Sequence, residues 1–254
     1  IVLTRIMKLQ KIISHSRPHF WMYLLGPYLI GVTAGNHNWD FKSISLLVFF
    51  GFYFLFPANV FLYGVNDIFD FETDKLNPKK QGYEQALEPS QQKKLALIIA
   101  VCSIPWLVAL FFTTIATIIA AIVFVLLGYF YSARPIRAKT TPLLDSIFNV
   151  LYIVPALVGY YLTGATHLNW MFVLAGCLWT MAMHAYSAVP DITADKKAYL
   201  NTIATFLGSK GTLTFCTLCY LASSLLAGQS LGTPVYALGL IYLLMMRISF
   251  QQKT

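Results

Sequence analysis

The sequence predicts an all-α, polytopic transmembrane helical bundle, and three observations carry that expectation. Charged residues make up 11% of the chain and hydrophobic residues 57%, whereas soluble domains carry about 25% charged residues. The apolar residues fall in continuous runs rather than in alternation, which in lipid is the mark of helices and not of strands. The basic residues gather in loops that all lie on one side of such a bundle. A soluble core of 254 residues could not hide this much apolar surface. Disorder is excluded because disordered chains are poor in aromatic and branched apolar residues.

A helix needs about 20 apolar residues to cross the hydrocarbon core. Eight spans are expected, near 20–35, 43–65, 95–112, 114–131, 144–163, 169–187, 211–228 and 232–248. Arg5, Lys8, Lys11 and Arg17 precede the first, but no small-residue cleavage site follows it, so it reads as a span and not a secretory signal. The second runs into an acidic stretch at 66–74, and the third and fourth meet near residue 113. The fifth follows a basic loop, and the sixth leads into Asp191 and Asp195. Within the seventh, Cys216 and Cys219 form a CxxC with no His nearby. Inside a helix that pattern reads as small-residue packing, not metal or redox chemistry. No disulfide framework is expected from the four cysteines.

Residues 1–19, 66–94, 132–143, 188–210 and the tail after 246 hold every Lys and Arg except Lys42. The loops on the opposite side are very short. By the positive-inside rule both ends are expected in the cytoplasm. The net charge of +8 is then a topology signal, and no nucleic-acid partner is expected. The acidic residues are one-sided too, since of ten only Asp40 lies on the far side. Topology does not require that second asymmetry, because acidic residues contribute little to it. It calls for a chemical reason.

Residues 66–74 read Asn66-Asp67-Ile68-Phe69-Asp70-Phe71-Glu72-Thr73-Asp74. On a helix, Asn66, Asp70 and Asp74 share one face, with Asp67 beside them. Like charges at these spacings repel by tenths of a kcal/mol per pair, a sign that a bound cation reverses. Carboxylate and amide oxygens suit hard cations, and Mg²⁺ commonly uses one or two carboxylates plus substrate phosphates. A solvated helix cap screened by Lys75, Lys79 and Lys80 is the bland alternative. Asp191 and Asp195 weigh against it, being again at i, i+4, on the same expected side, with Lys196 and Lys197 following. Two acidic helix ends facing each other across a cavity would clamp a polyanion through metal ions. The loop Tyr131-Ser132-Ala133-Arg134-Pro135-Ile136-Arg137-Ala138-Lys139 adds three cations. Arg134 and Arg137 suit forked phosphate contacts, and Lys139 a point-charge contact. That loop, like Arg17, also reads as an interfacial anchor.

A diphosphate neutralised in this way can leave an allylic carbon. Aromatic faces and a water-poor pocket then stabilise the cation that results. Tyr53, Tyr63, Phe69, Tyr129, Tyr152 and Tyr186 are candidates, although each alone reads more readily as packing or interfacial belt. His184, two turns before Asp191, is either a buried satisfied histidine or a group that orients or relays protons.

At these residues the chain resembles the UbiA-type superfamily of intramembrane prenyltransferases. The resemblance is carried by Asn66-Asp67-x-x-Asp70-x-x-x-Asp74, by Tyr131-Ser132-x-Arg134-Pro135-x-Arg137-x-Lys139 and by Asp191-x-x-x-Asp195-Lys196. It implies a helical bundle of nine spans with a central cavity open to lipid, here a single domain over 1–254 lacking the last helix. It also implies transfer of a prenyl group from its diphosphate to a lipophilic, membrane-dissolved acceptor, with Mg²⁺ as cofactor. Asn66 and Asp70 would serve one metal and Asp191 and Asp195 the other, with Asp67 and Asp74 as direct or water-mediated ligands. Lys139 and Arg137 would hold the diphosphate, with Arg134 and Arg17 as further candidates.

Two departures stand out. Ser187-Ala188 occupy the place of a Tyr-Asp pair usual in the family, and Tyr199 that of a common glycine. The stretch from Met183 to Ile192 and the opening Ser16-Arg17-Pro18-His19-Phe20-Trp21-Met22-Tyr23 are similar to the lycopene elongase branch. That branch implies a carotenoid-like acceptor. An aromatic quinone precursor, sharing every diphosphate ligand, is the runner-up. An ion or phosphate transporter is remote, because transporters place their charges near the midplane.

Overall fold

A computed structural model describes residue 7 and residues 9–36, 40–71 and 89–252. Every element among the described residues is helical. In chain order they are α1 (Leu9–His15), α2 (Met22–Ala34), α3 (Phe41–Leu55), α4 (Pro57–Phe69), α5 (Pro89–Leu110) and α6 (Ile115–Ser132). There follow α7 (Leu144–Ile147), α8 (Val154–Leu162), α9 (Trp170–Ala188), α10 (Ile192–Lys197), α11 (Ile203–Leu231) and α12 (Thr233–Gln251). Short 3-10 turns occupy Pro18–Phe20, Ala138–Thr140 and Phe148–Tyr152. Seven runs among the described residues are long and apolar enough to cross a membrane, and they overlap seven of the eight expected spans. The remaining span, 20–35, appears as the 13-residue α2. Its helix begins late because Arg17 takes the left-handed backbone conformation (φ 49°) ahead of the Pro18 turn.

The helix ends follow local chemistry. Asp40 caps α3 by accepting the Ser43 N–H at 2.7 Å, which holds its carboxyl below the usual range. Thr114 and Asn169 cap α6 and α9 in the same way. Thr202 and Thr205 cap α11 reciprocally. The expected span 43–65 is two helices, because Pro57 cannot continue the hydrogen-bond ladder of α3. The Asn59 amide, fully buried, donates to the Phe54 and Leu55 carbonyls at 3.0 Å each, repairing the break from within α4. Gly208, at φ 66° and ψ 175°, bends α11 near its start.

The chain forms two compact units. The first comprises residues up to Ile136 with Val154–Thr166, the second Arg137–Ile153 with His167–Thr254. In the first, Tyr53 stacks on Trp106 with ring centres 4.2 Å apart and planes 3° from parallel. Phe50 and Phe54 pack edge-on against that pair, and Phe124 edge-on against Phe54. In the same unit α2 lies against α8, with Gly31 over the Ala156 backbone and Gly159 over the Tyr28 carbonyl, leaving no room for a Cβ at either. Lipid tails are as apolar as the helices, so close backbone approach and van der Waals packing hold such pairs. In the second unit α9, α11 and α12 bury Ala182, Ala185, Leu213, Cys216, Cys219, Tyr220 and Met246. The Cys216 thiol donates to the Ala182 carbonyl at 3.4 Å, so the CxxC is packing, as its sequence context suggests. Exposed apolar side chains on α5 (Leu97, Val101, Ile104) and α12 (Leu238, Ile241, Leu244) form the surfaces suited to lipid.

Candidate active site

The first acidic segment ends α4. Asn66 donates through Nδ2 to Ser132 Oγ at 3.1 Å, which ties α4 to the end of α6. With Nδ2 committed, Oδ1 is the Asn66 atom suited to a cation. One turn on, Asp70 closes the helix, its N–H donating to the Asn66 carbonyl at 2.9 Å. The i, i+4 spacing therefore puts both side chains on one face, as expected. Asp74 and Glu72 lie outside the described residues.

Asp67 is turned toward α1 and the Arg17 corner, and only 4% of its surface is exposed. His15 Nδ1 lies 2.7 Å from its Oδ2, and Arg17 Nη2 donates to its Oδ1 at 3.1 Å. The Arg17 guanidinium also covers the Tyr63 ring, 4.7 Å from its centre. Tyr63 and Asp67 are one turn apart on α4, so Arg17 lies along a strip formed by both. A buried carboxylate needs such partners. Arg17 is thus held by a carboxylate and a ring, with a fixed place in the protein beyond an interfacial anchor.

The middle motif divides between the units. Arg134 is exposed and belongs to the first; Arg137 and Lys139 belong to the second. Arg137 takes a left-handed backbone conformation (φ 44°). Its carbonyl accepts both the N–H and the hydroxyl of Thr140, each at 3.0 Å, which fixes the turn that carries Lys139. In the second unit Asp191 directly precedes α10, and the Asp195 N–H donates to the Asp191 carbonyl at 2.8 Å, so these two aspartates also fall on successive turns. The Leu200 N–H donates to the Asp195 carbonyl at 2.9 Å, and the Thr202 hydroxyl reaches Asp195 Oδ2 at 3.5 Å.

The donor chemistry of both segments fits a hard cation. Each offers carboxylate or amide oxygens at i, i+4, and among the described residues no three His, Cys, Asp or Glu side chains stand together. Among the described residues, Asn66 with Asp70 and Asp191 with Asp195 each offer oxygens that water and substrate phosphates would supplement, a donor set that suits Mg²⁺.

Three residues to which the sequence assigned no role of their own hold these segments in place. His15 and Ser132 anchor Asp67 and Asn66. The third is Asp145, fully buried at the start of α7 and linked to α11 and His184. Asp145 did leave a signal: an ionisable residue at the mouth of an apolar run is rarely idle.

A scan of known families finds residues 21–254 matching the UbiA prenyltransferase family. The chain belongs to that family. It is an integral membrane prenyltransferase. Among curated relatives, a lycopene elongase/hydratase of Halobacterium salinarum is 43% identical over 224 residues, covering 82% of this chain and 75% of the relative. A lycopene elongase/hydratase of Haloarcula japonica is 41% identical over 211 residues, 82% of this chain and 71% of its own. Among solved structures, a UbiA homolog from Archaeoglobus fulgidus bound to DMAPP and Mg²⁺ aligns with a TM-score of 0.76 at 21% identity, over 94% of this chain and 86% of that one. That likeness shows a shared fold.

Proposed function

We propose that this prenyltransferase joins an allylic prenyl group to the end of a carotenoid such as lycopene, with Mg²⁺ as cofactor and the active site on the cytoplasmic side. The observation that carries the acceptor is the 41–43% identity to lycopene elongase/hydratases across 82% of the chain. The cytoplasmic placement rests on the one-sided Lys and Arg of the loops.

Asn66 and Asp70 would hold one Mg²⁺ ion and Asp191 and Asp195 the other. Asp74 assists at the first, and Asp67 assists through water, since its oxygens already accept from His15 and Arg17. Bound Mg²⁺ supplies charge neutralisation for the departing diphosphate. Arg137 and Lys139 hold diphosphate oxygens, and Arg134 and Arg17 add positive charge. The allylic C–O bond breaks with its electron pair going to the diphosphate. The terminal double bond of the polyene then supplies the pair for the new C–C bond. The cation left on the acceptor is discharged by loss of a proton or addition of water. Ring faces near the leaving group would stabilise the allylic cation, by the same attraction that holds the Arg17 guanidinium over Tyr63.

The test is an acceptor assay. Purified protein with Mg²⁺ and dimethylallyl diphosphate is given lycopene or 4-hydroxybenzoate, and products are read by mass spectrometry. A prenylated lycopene is expected. Product from the aromatic acid alone sinks the carotenoid reading and installs the quinone-precursor one.

A further inference from the structure

In the second unit, the turn carrying Arg137 and Lys139 and the segment carrying Asp191 and Asp195 are joined through Asp145. This carboxylate has no exposed surface. Its Oδ1 accepts the Ser146 N–H at 2.7 Å, and its Oδ2 accepts the N–H of Ile203, the first residue of α11, also at 2.7 Å. His184 Nε2 stands 3.8 Å from the same Oδ2. On one side, the Asp145 N–H donates to the Thr141 carbonyl at 3.0 Å. Thr141 directly follows the Ala138–Thr140 turn whose Thr140 is bonded to Arg137. On the other side, Ile203 follows Thr202, whose hydroxyl reaches Asp195. An unbroken run of hydrogen bonds and neighbouring residues thus leads from Arg137 to Asp195.

We propose that Asp145 is a positioning residue that sets the Arg137–Lys139 turn in register with the Asp191–Asp195 segment, so that both reach one diphosphate. The inference rests on the ligand roles assigned above. A carboxylate is required there because two N–H groups converge on it from different elements. An amide offers one acceptor and turns a second donor against a donor. Burial makes the mismatch costly, since neither N–H has water to fall back on. A helix staple without this role would affect stability alone. A positioning residue also changes how tightly the donor substrate is held.

The experiment measures binding of dimethylallyl diphosphate with Mg²⁺ by calorimetry, without acceptor, on purified full-length protein. Asp145→Asn is expected to raise the donor Kd about tenfold, the scale of one lost charge-assisted hydrogen bond, with the KM for lycopene unchanged. Gly239→Ala serves as the packing control: its Cβ overlaps Ser224 where α12 meets α11, so it lowers thermal stability and leaves the donor Kd at wild type. If Asp145→Asn does not fold, the same tie is cut from the other end. Ile203→Pro removes the N–H at a helix position where proline fits, and Ile203→Ala removes the same side-chain bulk while keeping it. The proline variant is expected to bind donor more weakly than the alanine variant. A wild-type donor Kd in Asp145→Asn, or equal Kd values for the two Ile203 variants, overturns the inference. Asp191→Ala, run in parallel, separates the failures. If it binds donor as the wild type does, the ligand assignment itself falls; if it is impaired while Asp145→Asn is not, the positioning role alone falls.

Discussion

Asp67 and Asp70 stand one helical turn apart and do different work. Asp67 is buried between His15 and Arg17, so removing it strands two donors. Asp67→Ala is expected to cost about 2–3 kcal/mol of stability, read as a lowered unfolding temperature in detergent. Asp70 closes α4 and is half-buried. Asp70→Ala should leave that temperature near wild type while cutting turnover by about a hundredfold or more, the scale of losing one strong electrostatic contact in a dry site. An unchanged melting temperature for Asp67→Ala would contradict the buried-anchor reading. At this scale the sequence was legible where helix period alone decides. Asn66 with Asp70 and Asp191 with Asp195 could be paired by counting to four. Asp67 with His15 could not, because 52 positions separate them. Nor could Asp145 with Ile203, where the partner is a backbone N–H that no residue code reveals.

Among the elements, α2 and α8 show what holds helices together in lipid. Gly31 and Gly159 let the two backbones touch. Gly159→Val should cost about 2 kcal/mol or more through forced separation, seen as a loss of thermal stability. A variant as stable as wild type would mean that the two helices are not in close contact. The N-terminus of α3 gives a pH test. The Ser43 N–H holds the Asp40 carboxyl below its usual value. A depressed carboxyl contributes stability above its unfolded value and loses it as pH falls through the folded one, so the window lies below about pH 4. A carboxyl titration by NMR should place Asp40 below about 3.9; a midpoint above that would remove the cap. Element positions were well legible, since continuous apolar runs admit little else in a bilayer. Element breaks were less so. Pro57 divides one expected span into two helices, with the buried Asn59 amide satisfying the freed carbonyls, and 144–163 resolves into α7, a 3-10 turn and α8; an unbroken apolar run conceals both breaks.

For the whole molecule, the charge pattern links topology to chemistry. Of 18 Lys and Arg, Lys42 alone falls on the far side of the expected topology. Cysteines introduced singly in a cysteine-free background test the sidedness. Lys42→Cys should react with an impermeant thiol reagent from outside intact cells, and Lys197→Cys only after lysis; the reverse pattern would invert the orientation. The same scarcity singles out the candidate site: with ten acidic residues in 254, two i, i+4 groups at helix ends are hard to read as decoration. That these two segments work on one substrate through metal ions is our proposal. Its most direct test is the Mg²⁺-dependent turnover of Asp70→Ala and Asp191→Ala, each beside the wild type at saturating dimethylallyl diphosphate. Both are expected to fall by about a hundredfold or more while remaining folded. Near-full turnover in either variant would contradict the account.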